Sequence, residues 1–157
     1  NVIANSRFGF QLAVEGSGYT WSGSSRENQI TPWSNDPVTD RPGEAIYVRD
    51  EDSGELWGPT ALPVRHETAP YVATHGQGYS RFEHSVNGIA LELLQFVPID
   101  DPVKISRLTI RNTSDRIRRL SVTAYVEWVL GPSRAVSSPS IETARRANST
   151  APVGSLR

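Results

Sequence analysis

Tyr79-Ser80-Arg81-Phe82-Glu83-His84-Ser85-Val86-Asn87-Gly88-Ile89-Ala90-Leu91-Glu92-Leu93-Leu94-Gln95-Phe96-Val97 is the stretch that decides the fold class. Residues 79–84 alternate aromatic or long side chains with polar ones, the period of a strand with one buried face. Asn87-Gly88 is the strongest two-residue hairpin signal, because a type I′ turn needs φ > 0 at both central positions. Residues 89–97 return from it as a second, more apolar strand.

The same logic extends outward. Val103-Lys104-Ile105-Ser106-Arg107-Leu108-Thr109-Ile110 alternates strictly and predicts a half-buried strand. Asn112-Thr113-Ser114-Asp115 reads as a turn. Residues 119–129 are long and β-branched, so 103–110 and 119–129 are expected to pair as an antiparallel hairpin with Ile105 and Val122 in the core. Upstream, Ala45-Ile46-Tyr47-Val48 ends at a turn cluster, Arg49-Asp50-Glu51-Asp52-Ser53-Gly54, and Glu55-Leu56-Trp57 reads as the returning strand. No segment carries a sustained helical pattern, and eleven Pro are spread along the chain. The fold class is all-β, an antiparallel β-sandwich. Its expected extent is residues 1–131. Residues 132–157, rich in Pro, Ser, Ala, Thr and Arg, read as a loop or poorly ordered tail.

Composition removes several function classes. The 157 residues suit one domain with a single core. Lys and Arg (16) nearly balance Asp and Glu (17) and are interspersed, so no basic stripe points to nucleic acid. The basic cluster at 116–119 reads as a solvated turn. Cys is absent, which excludes disulfides, thiol nucleophiles and thiolate metal sites. Met is absent even at position 1, which reads as processing or as a piece of something longer. No apolar run approaches the roughly 20 residues needed to span a bilayer, and no opening segment resembles a signal peptide. The anchor of a membrane-bound parent would lie outside this piece.

Catalytic and metal signals are weak. His66, His75 and His84 lack the spacing of a zincin or any carboxylate ligand pattern, so no metal site and no cofactor are expected. His75 reads as a hydrogen-bonding partner of a loop carbonyl or of a substrate hydroxyl. Gly-x-Ser-x-Gly is absent, and neither Gly16-Ser17-Gly18 nor Gly76-Gln77-Gly78 follows a strand and opens a helix, as a dinucleotide site requires. Glu83, Glu92 and Glu127 on expected strands, and Asp36, Asp40 and Glu44 in expected loops, supply carboxylates. Sequence does not show whether any two approach to the separation, about 5–9 Å, used by glycosidases. No catalytic residue is assigned.

The richest stretch runs from Gly18 through Tyr19-Thr20-Trp21 and Ser25-Arg26-Glu27-Asn28-Gln29-Ile30-Thr31-Pro32-Trp33. Aromatic faces stack on pyranose rings, and amides, Arg and carboxylates hydrogen-bond hydroxyls, so this is the composition of a sugar-contacting loop. It equally suits an ordered loop pinned by buried aromatics. The candidate contacts are Tyr19, Trp21, Arg26, Glu27, Asn28, Gln29 and Trp33, together with His75 and Tyr79.

Four further blocks carry a resemblance. They are Asn1-Val2-Ile3-Ala4-Asn5-Ser6-Arg7-Phe8-Gly9-Phe10, Pro42-Gly43-Glu44-Ala45-Ile46-Tyr47-Val48-Arg49-Asp50, His75-Gly76-Gln77-Gly78-Tyr79-Ser80-Arg81-Phe82-Glu83-His84 and Tyr125-Val126-Glu127-Trp128-Val129-Leu130-Gly131. With the aromatic stretch, they resemble the N-terminal region of the glycoside hydrolase family 94 phosphorylases (former glycosyltransferase family 36). The version in bacterial cyclic β-1,2-glucan synthases is especially similar. The resemblance implies a galactose mutarotase-like supersandwich, incomplete here, within a homodimeric enzyme. The family's catalytic Asp lies downstream in an (α/α)6 barrel, to which nothing here corresponds. It further implies a non-catalytic scaffold and active-site rim. The implied partners are β-glucan or oligosaccharide, inorganic phosphate in the parent enzyme, and the rest of the parent chain. The implied location is the cytoplasmic side of the inner membrane. The alternative is an autonomous carbohydrate-binding sandwich; a complete small hydrolase would need turnover by the chain alone. A sandwich cut partway is expected to self-associate, through exposed strand edges or by exchanging a segment between copies, with residues 89–97 a strand carrying an uncovered apolar face.

Overall fold

The computed structural model describes residues 1–34, 36 and 38–129. Among these, every regular element is a strand: β1 (Val2–Ala4), β2 (Phe8–Leu12), β3 (Gly18–Ser22), β4 (Glu44–Asp50), β5 (Leu56–Trp57), β6 (Tyr71–Gly76), β7 (Tyr79–Val86), β8 (Ile89–Phe96), β9 (Ile105–Asn112) and β10 (Leu120–Val126). They form three antiparallel sheets with orders β1-β2-β3, β10-β4-β5 and β6-β7-β8-β9. The expected tail at 132–157 lies outside the described residues.

The β7–β8 hairpin forms as its sequence requires. Asn87 and Gly88 take φ of 56° and 73°, and Val86 faces Ile89 across the turn. Burial along β8 alternates without a break, with Ile89, Leu91, Leu93 and Gln95 turned inward. The expected return at Glu55-Leu56-Trp57 also forms, pairing Trp57 with Val48.

Two apolar clusters join the sheets. Ile3, Phe10 and Leu12 of the first sheet pack with Phe82 and Leu93 of the third, and Ile46 of the second closes against them. Val48 and Trp57 of the second sheet pack with Ile89 and Leu91 of the third. Each sheet thus buries one face against the others, which is how amphipathic strands remove apolar area from water.

The expected hairpin between 103–110 and 119–129 does not form. β9 pairs with β8 along its whole length, from Ile89↔Asn112 to Phe96↔Ile105, and β10 pairs with β4. The intervening turn crosses from one sheet to another instead of doubling back. Thr113 donates its N–H to Gly88 O at 2.8 Å, and the Asn112 side chain donates to Arg116 O at 2.8 Å. Arg118 then anchors the far side. Its guanidinium holds Asp50 Oδ2 through Nε at 3.1 Å and Nη2 at 2.5 Å and reaches Asn87 O through Nη1. The pair is almost fully enclosed, with side-chain exposures of 4% and 1%. The expected solvated basic turn therefore contains a buried ion pair that redirects the chain.

Placement of the core changes accordingly. Ile105 is only half-buried and Val122 is 49% exposed. β8, expected to carry an uncovered face, is bonded on both sides by β7 and β9. Among the edge strands, β9 and β10 are long and their residues are mostly exposed. On the register with buried Leu91 and Val48, Ile110 and Val122 share the inward faces of their sheets, yet both remain open to solvent.

Candidate functional site

Strand register builds an aromatic platform on the outer face of the first sheet. Val2, Gln11 and Tyr19 stand directly opposite one another, and so do Ala4, Gly9 and Trp21. Directly paired residues share a face, while Ile3, Phe10 and Thr20 occupy the buried one. Gly9 makes the platform flat: a Cβ there would lie 2.7 Å from Trp21 Cζ2, so the indole lies across the glycine. Tyr19 stands between two indoles, 5.0 Å from Trp21 and 5.9 Å from Trp33, tilted by 39° and 30°. Trp33 is 54% exposed.

The loop after β3 returns beside it. Ser22 N donates to Asn28 O, Ile30 N to Thr20 O, and Trp21 and Gln29 form a β-bridge. Gln29 Oε1 lies 3.5 Å from Trp33 N. The loop's root is Thr31, whose hydroxyl accepts from Thr20 N at 2.8 Å and donates to Glu44 Oε1 at 2.8 Å. Thr20 Oγ1 donates to the same oxygen at 2.5 Å, and Lys104 Nζ donates to Glu44 Oε2 at 2.5 Å. Lys104 also sits over the Phe10 ring, 4.5 Å from its centroid. One largely buried carboxylate thereby ties together β3, the loop root, β4 and the entry to β9. Glu44 and Lys104 also line a cavity of about 110 Å³ with Leu93, Gln95 and Tyr125.

Of the sequence candidates, Tyr19, Trp21, Trp33 and Gln29 come together. Arg26 and Glu27 pair with each other at 3.4 Å at the loop tip, exposed to 91% and 69%, where an ion pair contributes little. Asn28 is exposed and serves the loop through its backbone. His75 and Tyr79 belong to the third sheet, beyond the β1 edge of the first. His75 Nδ1 lies 2.9 Å from Ser80 Oγ, and the Tyr79 ring lies over Gly76. Glu83 and Glu92 are direct cross-strand neighbours, each beside an Arg: Arg81 at 3.4 Å and Arg107 at 3.8 Å. The sequence candidates for sugar contact did not include Gln11, Arg41 or Asp40, the last named only as a loop carboxylate; all three line a notch of about 30 Å³ against Tyr19 and Trp33. Alternation with Gly9 and Trp21 could have placed Gln11 on this face. Nothing local announces Asp40, which takes a φ of 34° and whose Oδ2 accepts from buried Ser17.

The ionisable groups predict acid lability. Burial pushes Glu44 upward, but the Lys104 ammonium and the Thr20 and Thr31 hydroxyls outweigh it and hold the carboxyl below its ordinary range. The backbone N–H of Asp52, then Arg118, hold Asp50 low. A depressed carboxylate contributes stability above its unfolded pKa, and that contribution fades as pH falls through the folded value. Burial also depresses His84, against the Pro70 carbonyl. A His depressed in the fold takes up its proton more readily when unfolded, so stability drops once pH passes below about 6.5. The expected result is a Tm that declines first between about pH 6.5 and 5 and more steeply near pH 4. A Tm flat from pH 7 to 4 in a thermal melt series would contradict it.

The profile for the supersandwich domain of glycosyl hydrolase 94 matches residues 1–155. The chain belongs to this family. It is 46% identical over 139 residues to the cyclic beta-(1,2)-glucan synthase NdvB of Rhizobium meliloti (strain 1021), covering 88% of this chain and 5% of that protein. It is 33% identical over 130 residues to the N,N'-diacetylchitobiose phosphorylase of Vibrio proteolyticus, covering 82% and 16%. It is 42% identical over 85 residues to the solabiose phosphorylase of Paenibacillus borealis, covering 54% and 11%. The chain thus spans between 5% and 16% of the length of these curated relatives. The three antiparallel sheets agree with the supersandwich class. Among the described residues, no helix is long and apolar enough to cross a membrane.

Proposed function

We propose that this supersandwich domain is the non-catalytic scaffold and active-site rim of a family 94 module acting on β-glucans, of the cyclic β-1,2-glucan synthase or phosphorylase kind. In the parent enzyme inorganic phosphate would cleave the glycosidic bond to give a sugar 1-phosphate, while a carboxylic acid outside this chain protonates the leaving oxygen. The parent would place the domain on the cytoplasmic side of the inner membrane. The pair of half-buried Tyr19 and exposed Trp33 at the loop supports the rim role, since partly exposed aromatics beside polar groups suit a ligand with one apolar and one hydroxylated aspect. Purified chain incubated with β-glucan and phosphate is expected to release no sugar 1-phosphate. Release that stops when phosphate is omitted would overturn the non-catalytic reading.

The free edges support a second element, self-association of the isolated chain. β9 and β10 present unpaired backbone groups, and Ile110, Val122 and Tyr125 add exposed apolar surface. A dimer or larger species is expected in sedimentation at high concentration; a clean monomer there would refute it.

A further inference from the structure

The notch beside Trp33 carries more than a rim role. Gln11 and Arg41 make no side-chain hydrogen bond or ion pair among the described residues, and Arg41 acts on Asp36 only through its field. Asp40 commits one carboxylate oxygen to Ser17 and keeps the second as an acceptor. Its φ of 34° is a conformation that non-glycine residues adopt at a cost, and such residues collect at ligand sites. All three polar groups line one recess whose wall is formed by the Tyr19 and Trp33 rings. A guanidinium and an amide that donate, a carboxylate that accepts, and an adjacent aromatic face suit the chemical class the rim reading names. That class is a pyranose ring, with vicinal hydroxyls at its edge and C–H bonds on its face. The recess of about 30 Å³ admits one or two hydroxyl groups and leaves the ring itself on the aromatic surface.

We infer that Gln11, Asp40, Arg41, Tyr19 and Trp33 form a glucan-binding site that this domain holds by itself, gripping one pyranose of a β-linked chain without help from a catalytic domain. The inference rests on the rim reading for the identity of the sugar, and on the notch geometry for its location. Asp40 and Arg41 read the edge hydroxyls, Gln11 spans toward the next ring, and Trp33 supplies the stacking face.

Titration of the purified chain with linear β-1,2-linked gluco-oligosaccharides, followed by tryptophan fluorescence and calorimetry, tests it. Saturable binding is expected, with Trp33→Ala and Arg41→Ala each weakening it at least about tenfold. Asp40→Asn, which tolerates the same backbone conformation, is expected to weaken binding while leaving the melting temperature unchanged. Tyr79→Ala, on the third sheet, is expected to bind as the parent chain does. No saturable binding, or affinity indifferent to both Trp33→Ala and Arg41→Ala, would overturn the site. The same substitutions in a full-length enzyme separate the two ideas. A raised KM there, with no binding by the isolated chain, would leave the rim reading standing and remove the independent site.

Discussion

Lys104→Met is expected to destabilise the chain by about 3–5 kcal/mol. The replacement keeps much of the stem volume and removes only the ammonium. Glu44 would then remain largely enclosed with two hydroxyl donors and no countercharge. An uncompensated buried charge costs more than the intact pair contributes, because the penalty is that of desolvating an ion without a partner. The double replacement Glu44→Leu with Lys104→Met is therefore expected to be less damaging than Lys104→Met alone. Urea unfolding followed by tryptophan fluorescence measures both. If the single variant loses under about 1 kcal/mol, the pair behaves as a surface ion pair and the enclosed network is wrong.

Phe10→Ala should have a comparable effect, about 3–5 kcal/mol. Phe10 is 0% exposed and belongs to the cluster that joins all three sheets. Its loss leaves a cavity lined by Ile3, Leu12, Phe82 and Leu93 and withdraws the ring beneath Lys104. With a domain stability of only about 5–15 kcal/mol, such a loss approaches the whole. Phe8→Ala, in a half-buried position on the same strand, provides the comparison. Equal unfolding midpoints for the two variants would show that the three sheets do not share this core.

Local patterns were readable where local physics decides. Asn87-Gly88 fixes its turn because both residues accept positive φ, and the alternation on either side fixes which side chains turn inward. The strand at 105–112 was equally visible from its period, but its partner was not. Alternation states that a face is buried without stating against what, and β8 and β10 offer equally suitable edges. The deciding contact joins Arg118 to Asp50, 68 residues away, and no pattern within 103–129 encodes it. The site divides in the same way. The candidacy of Tyr19, Trp21 and Trp33 is legible because aromatic rings are conspicuous in a polar loop, and the structure brings these three rings together. Gln11 and Asp40 were hidden because only sheet register and the turn at Asp40 bring them to the rings. His75 and Tyr79 stand apart on the third sheet, because a shared sequence block does not place its residues beside another sheet's loop.

The carboxylate of Glu44 is a single anchor shared by two regions. Lys104 sits at the wall of the 110 Å³ cavity between the sheets, and Thr31 sits two residues from Trp33. Both are fastened to the two oxygens of one side chain. The root of the aromatic loop and the wall of the inter-sheet cavity thus hang on one carboxylate, and its removal would loosen both.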